Sequence, residues 1–154
     1  MKTTKLFLTG LILLFVHTIS AQVINPVKWD FTVKKISKTE SELVFTATME
    51  AGWHVYSQHV PEGGPIPTSF KLDKGMGFFT VGEVTEPKPV EVMDKNFNMV
   101  VKYFSERVEF KQKVRVASDK PVEVKGTLEF MCCNDESCLP PAEVPFSFKL
   151  PASK

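Results

Sequence analysis

From Trp29 onward the chain alternates apolar and polar residues with a period of two, and this pattern dictates the folds open to it. Val122, Val124, Gly126, Leu128 and Phe130 fall on one side of a strand, with Glu123, Lys125, Thr127 and Glu129 on the other. Val144, Phe146, Phe148 and Leu150 repeat the pattern against Pro145, Ser147 and Lys149. Val108, Phe110, Val114 and Val116 do so between charged residues, with Gln112 interrupting the apolar face. Leu43, Phe45, Ala47 and Met49 make a fourth run, and Trp29, Phe31 and Val33 a fifth. Such runs are strands with one face on a core and one in water. Turn-forming clusters at 37–41, 61–67, 73–77, 86–89, 94–98 and 118–121 separate them, and most of the 11 prolines and 8 glycines fall in these gaps. After residue 21 no stretch keeps apolar residues at i, i+3, i+4 and i+7 over three turns. About eight strands at this spacing predict an all-β fold, an immunoglobulin-like antiparallel β-sandwich.

The first 21 residues do not belong to that pattern. A short basic start, Met1 to Lys5, leads into an apolar run from Leu6 to Val16, and the small-residue end Ile19-Ser20-Ala21 precedes Gln22. This is the layout of a secretory signal peptide cleaved after Ala21. A membrane span needs about 18 or more apolar residues in a row, and this run is shorter. A mature domain over 22–154 is therefore expected in the periplasm, with no membrane span of its own. Discounting Lys2 and Lys5 leaves 17 basic and 18 acidic residues, a net charge of −1 with the signs interspersed. That balance argues against nucleic acid or an anionic membrane as the main partner. An exported chain also sits where disulfides persist.

All three cysteines lie in Met131-Cys132-Cys133-Asn134-Asp135-Glu136-Ser137-Cys138-Leu139-Pro140-Pro141, a loop between two strong strands. One pair can form and one thiol is left over. A plain structural staple is the competing reading. Closing a loop of about six residues, however, removes only about 2 kcal/mol of unfolded-state entropy on the chain-entropy model. A bond in a tight turn is also readily reduced. Asp135 and Glu136 raise the pKa of the neighbouring thiols, so the thiolate is scarce at neutral pH. A disulfide of this kind accepts electrons when a partner thiolate is positioned against it. Zinc is a poor match, because adjacent thiols without a nearby histidine in sequence lack the usual ligand spacing, although His54 or His59 could approach in space. No metal or cofactor is expected.

Cys-Asn-Asp-Glu-Ser-Cys-Leu-Pro-Pro after a strand resembles the active-site loop of the amino-terminal periplasmic domain of DsbD, the disulfide bond corrector family. Gly52-Trp53-His54-Val55-Tyr56 is similar to that family's aromatic strand, and Asp94-Lys95-Asn96-Phe97-Asn98 to its cap loop, in the family's order. The resemblance implies an immunoglobulin-like domain that carries electrons as a cysteine pair. Carried over by position, Cys133 and Cys138 are the redox pair and Phe97 the cap, with Tyr56, His54 and Asp135 around them. Members with five residues between the cysteines would instead select Cys132 with Cys138. His54 stands where those members have tyrosine, and Lys95 and Asn96 where they have acids. The implied donor is a thioredoxin-like protein or a DsbD-type membrane reductase, here encoded separately. The implied acceptor is a disulfide isomerase or a cytochrome c maturation protein.

The remaining candidates read as packing or surface residues. His54 and His59 are expected in one strand on opposite faces, as ordinary surface or half-buried histidines. Met93, Met99 and Met131 are expected to fill gaps in a core rather than to bind copper. The segment 62–67 has no phosphate-binding context, since no helix follows it. A second reading, of a different class, is a non-catalytic sandwich with a structural loop disulfide that binds a partner protein or a metal.

Overall fold

The computed structural model describes residues 24–153; the expected signal peptide lies outside them. The described chain is built of strands: β1 (Val27–Lys35), β2 (Glu40–Met49), β3 (His54–Tyr56), β4 (Ser69–Leu72), β5 (Phe78–Thr85), β6 (Val90–Asp94), β7 (Met99–Ser105), β8 (Arg107–Val116), β9 (Val122–Phe130), β10 (Cys132–Cys133) and β11 (Ala142–Leu150). Every paired register is antiparallel, and the fold is an immunoglobulin-like β-sandwich. The five alternating runs of the sequence are β1, β2, β8, β9 and β11. The total exceeds the expected eight because β3, β4 and β10 are only three, four and two residues long.

Three sheets share the work. β1-β2-β8-β5 faces β11-β9-β4, and β10-β3-β7-β6 closes one end. Aromatic rings fill the space between the first two. Phe45 of β2 packs edge-on against Phe146 and Phe148 of β11 at 4.9 and 5.0 Å, and its ring lies 4.6 Å from Phe70 of β4. Trp29 of β1 reaches Phe130 of β9 at 5.4 Å. Edge-to-face contacts at these separations add about 0.5–1.5 kcal/mol each beyond the area they bury. Gly126 of β9 sits opposite Phe146, where a Cβ would overlap that ring and the Lys71 carbonyl oxygen.

Gln112 explains why one run in the sequence carries a polar residue on its apolar face. It is buried on β8, and its Nε2 donates to the carbonyls of Val81, Gly82 and Lys113. The partner strand β5 breaks register between Val81 and Thr85, with Gly82 at φ 69°. The amide thus gives carbonyls at the break in register a buried donor.

The end sheet matters most for function, because its two faces lead to different places. Val55 of β3, Phe104 of β7 and Cys132 of β10 point into the main core. Their strand neighbours Tyr56, Val101 and Cys133 form a second, smaller cluster on the other face. Period-two alternation makes this division without help from any loop.

Candidate functional site

The second cluster is the candidate site, and the registers of β10, β3 and β7 assemble it. Cys133 lies opposite His54, and Cys132 opposite Val55, in the β10–β3 pair. His54 in turn lies opposite Ser105, and Tyr56 opposite Tyr103, in the β3–β7 pair. A tight turn at 51–52, with Gly52 at φ 84° and Trp53 N–H donating to the Glu50 carbonyl at 3.0 Å, feeds the chain into β3. Positive φ of this kind is cheap for glycine. Thr68 Oγ donates to the Tyr56 carbonyl, and Ser57 N–H to the Lys102 carbonyl, so the strand end is held from both sides.

The cysteine loop is stapled by its own backbone as well as by sulfur. Cys133 and Cys138 are disulfide-bonded with Cα atoms 4.1 Å apart, and their backbones form an antiparallel bridge. Asn134 Oδ1 accepts from the N–H groups of Glu136 and Ser137 at 2.9 and 2.8 Å, and Asn134 N–H donates to the Ser137 carbonyl. An asparagine whose side chain closes its own turn is an economical way to build such a loop. Leu139 N–H donates to the Cys132 carbonyl, fixing where the chain leaves. Cys133 has no exposed surface, whereas Cys138 is half-buried. Cys132 is the free thiol, buried on the core face. Burial pushes its pKa up to about 11, which makes it a weak nucleophile.

Above the disulfide stands the turn that joins β6 to β7. Asp94 Oδ1 accepts from the N–H groups of Asn96 and Phe97 at 2.7 and 3.3 Å, and Asn98 closes the turn at φ 52°. This places Phe97 half-buried against the cluster of Tyr56, Val101 and Cys133, its ring 6.1 Å from that of Tyr56 in an edge-on contact. Asn96 Nδ2 donates to the Asn134 carbonyl at 3.3 Å, tying the turn to the cysteine loop. The structure therefore brings Cys133, Cys138, Phe97, Tyr56 and His54 together. Asp135 is exposed on the cysteine loop and lines, with His54 and Asp94, a small cavity between loop and turn.

Asp94 is the residue whose importance the sequence does not reveal. It is almost fully buried, and its Oδ2 accepts the Tyr56 hydroxyl at 2.9 Å. Burial and that bond drive the Tyr56 pKa upward, so the phenol stays protonated. His54 Nε2 lies 3.3 Å from Tyr56 Oη and 4.0 Å from Asp94 Oδ2, and its ring packs on Tyr103 at 4.6 Å. Burial lowers the His54 pKa, while Asp94 and Asp135 pull it back up. The only signal in the sequence was an acid at the start of the cap loop, and nothing local tells whether such an acid faces solvent or a tyrosine.

Two expectations need correction. β3 ends at Tyr56, so His59 is an exposed residue beyond it rather than a strand partner of His54. Met93 is 58% exposed on the edge strand β6 and fills no core gap, whereas Met99 and Met131 do pack against the small cluster. Among the described residues no group of three or more His, Cys, Asp or Glu side chains is placed to hold a metal. No helix among them is long and apolar enough to cross a membrane.

A sandwich with a short-loop disulfide packed beside an aromatic turn defines the class: an immunoglobulin-like domain bearing a cysteine pair in a loop at one end. The chain belongs to the family of the N-terminal domain of thiol:disulfide interchange protein DsbD, whose family model matches residues 20–149. Among solved structures it is similar to the N-terminal domain of DsbD from Neisseria meningitidis in the reduced form. The identity is 15% over 80% of this chain and 86% of that one, with a TM-score of 0.53. It is also similar to the N-terminal periplasmic domain of ScsB from Proteus mirabilis, at 18% identity and a TM-score of 0.58. That match covers 83% of this chain and 47% of the ScsB chain, so it spans about half of the longer protein. At these identities the likeness is one of fold. No curated protein sequence matches the chain.

Proposed function

We propose that this domain is a periplasmic thiol–disulfide interchange module, with residues 22–154 as the mature unit, that carries two electrons as the Cys133–Cys138 pair. A thioredoxin-like protein or a DsbD-type membrane reductase loads it. An oxidised periplasmic protein, of the disulfide isomerase or cytochrome c maturation kind, unloads it. The observation that carries this reading is the position of the disulfide: it closes a loop too short to stabilise the sandwich much, yet lies beneath a dedicated aromatic turn. Family membership and the periplasmic setting of the ScsB relative support it.

The half-buried Cys138, at the Leu139-Pro140 edge, is the sulfur open to a partner thiolate, and the buried Cys133 is the leaving group. A thioredoxin-like donor lacking its resolving cysteine should therefore trap a one-to-one mixed disulfide through Cys138, visible on non-reducing gels and mapped by mass spectrometry. Absence of any adduct, together with a reduction potential well below about −300 mV, would establish a structural disulfide instead.

A further inference from the structure

His54 occupies a place in the strand register that the interchange reading leaves unused. It faces Cys133 directly across the β10–β3 pair. Directly opposed residues put their side chains on the same side of a sheet, with Cβ atoms about 4.5–5.5 Å apart. Tyr56 donates its single hydroxyl proton to Asp94 Oδ2, so its oxygen has only lone pairs to offer the imidazole. Nε2 of His54 must then carry the ring hydrogen, and the neutral ring keeps its lone pair on Nδ1. Asp94 and Tyr56 thus fix the tautomer and stand ready to stabilise an imidazolium.

The buried thiol on the same row has need of a base. Cys133 is fully buried in the disulfide-bonded domain, a position that gives water no ready path to a proton on its sulfur. We propose that His54 accepts the proton of the Cys133 thiol in the resolving step of exchange, and returns it to the Cys133 thiolate when the domain is reduced. The inference rests on the interchange reading and adds to it the group that moves the proton.

The step balances as follows. Cys138, as thiolate, attacks an acceptor disulfide; one acceptor sulfur leaves and takes a proton from water, and a mixed disulfide forms. His54 Nδ1 then takes the proton from Cys133 Sγ. The Cys133 thiolate attacks Cys138 Sγ, the internal S–S bond forms and the mixed bond breaks. The second acceptor sulfur leaves as a thiolate, and the imidazolium gives up its proton to it. Two electrons have passed to the acceptor, and the ring is neutral again.

The groups facing His54 are consistent with that role. Tyr103 of β7 packs against the ring, Asp94 at the end of β6 lies 4.0 Å away, and Lys95 and Asp135 line the same small cavity. Burial holds the ring below its ordinary pKa against the pull of the two acids, so the base form is present at neutral pH.

Stopped-flow oxidation of the reduced domain by the aromatic disulfide dithionitrobenzoate separates the two sulfur attacks. The first thionitrobenzoate released reports Cys138, and the second reports the resolving attack by Cys133. General-base catalysis contributes about 10²–10⁴-fold, so His54→Gln should slow the second phase at least about tenfold at neutral pH and leave the first unchanged. In the wild type the second phase should rise through the histidine titration and then level off. In His54→Gln it should climb about tenfold per pH unit toward the thiol pKa, and added imidazole should restore the rate in His54→Gly. A wild-type second phase that climbs without a plateau, or a His54→Gln profile that superimposes on it, overturns the assignment even if the variant is poorly folded. Because the reagent is a small disulfide, these phases persist if no thioredoxin-like partner exchanges, so the failure of either reading is recognisable alone.

Discussion

Replacing Asp94 by alanine removes the acceptor of three hydrogen bonds at once, from Tyr56 Oη at 2.9 Å and from the N–H groups of Asn96 and Phe97 at 2.7 and 3.3 Å. Tyr56 has no exposed surface, so its hydroxyl cannot turn to water. Losing a charged partner there costs about 2–3 kcal/mol, from the range for hydrogen bonds to ionised groups. The two N–H groups lie in a turn with exposed residues, where water can replace the carboxylate, and together they add about 1 kcal/mol. The oxidised domain should therefore lose about 3–4 kcal/mol. With a urea slope of about 2 kcal/mol per molar, the unfolding midpoint falls by about 1.5–2 M. Tryptophan fluorescence from Trp29 and Trp53 reports the transition at neutral pH. Asp94→Asn separates support from chemistry. Its Oδ1 keeps both N–H bonds, while its amide nitrogen meets the Tyr56 oxygen and turns the hydroxyl proton toward His54. That variant should lose only about 1 kcal/mol, yet shift the ring hydrogen to Nδ1 and slow the resolving phase. A midpoint for Asp94→Ala within about 0.5 M of wild type would refute the reasoning, because the buried bond would then be supporting nothing.

Phe97→Ala should speed reduction of the disulfide by dithiothreitol or glutathione several-fold, since the ring packs on the cluster that holds Cys133; an unchanged rate removes the cap. The lowered His54 pKa fixes the sign of a pH effect: the folded state favours the neutral ring, so this contribution is complete above the unfolded value of about 6.5 and is lost as pH falls through the lower folded value. The wild-type urea midpoint should thus drop more than that of His54→Gln on going from neutral to mildly acidic pH, and equal drops would contradict it. Gly126→Ala should cost stability at or above the upper end of about 1–3 kcal/mol, because its Cβ would overlap the Lys71 backbone as well as the Phe146 ring; a thermal melt unchanged from wild type would contradict it.

How far the sequence is legible follows from how local each feature is. β8, β9 and β11 are nine or ten residues long and bury alternate side chains against one core, so their pattern is written within the strand, whereas β2, between β1 and β8 in its sheet, buries Leu43 to Ala47 without a break. β5 and β6 are exposed along most of their length, and their sequences carry little period to read. β3 and β10, at three and two residues, are too short to show a repeating pattern and exist because neighbours offer them a ladder. The cysteine loop and the cap turn are recognisable because each is a contiguous motif. The pairing of His54 with Cys133, and the burial of Asp94 beneath Tyr56, are set by registers between segments 38 to 79 residues apart, which no local window contains.

Adjacent cysteines pose a question of identity, and the backbone answers it. Once the disulfide opens, the domain holds three thiols within seven residues, and their order in the chain does not say which two should rejoin. The two-residue strand β10 does say, by holding Cys132 toward the core opposite Val55 while presenting Cys133 opposite His54. A slip of one residue would exchange them, turning Cys133 toward the core and Cys132 toward His54. Fidelity of re-closure is thus encoded in a few main-chain hydrogen bonds, among them Leu139 N–H to the Cys132 carbonyl. A loop insertion or deletion that leaves all three cysteines in place would scramble the choice as surely as mutating one.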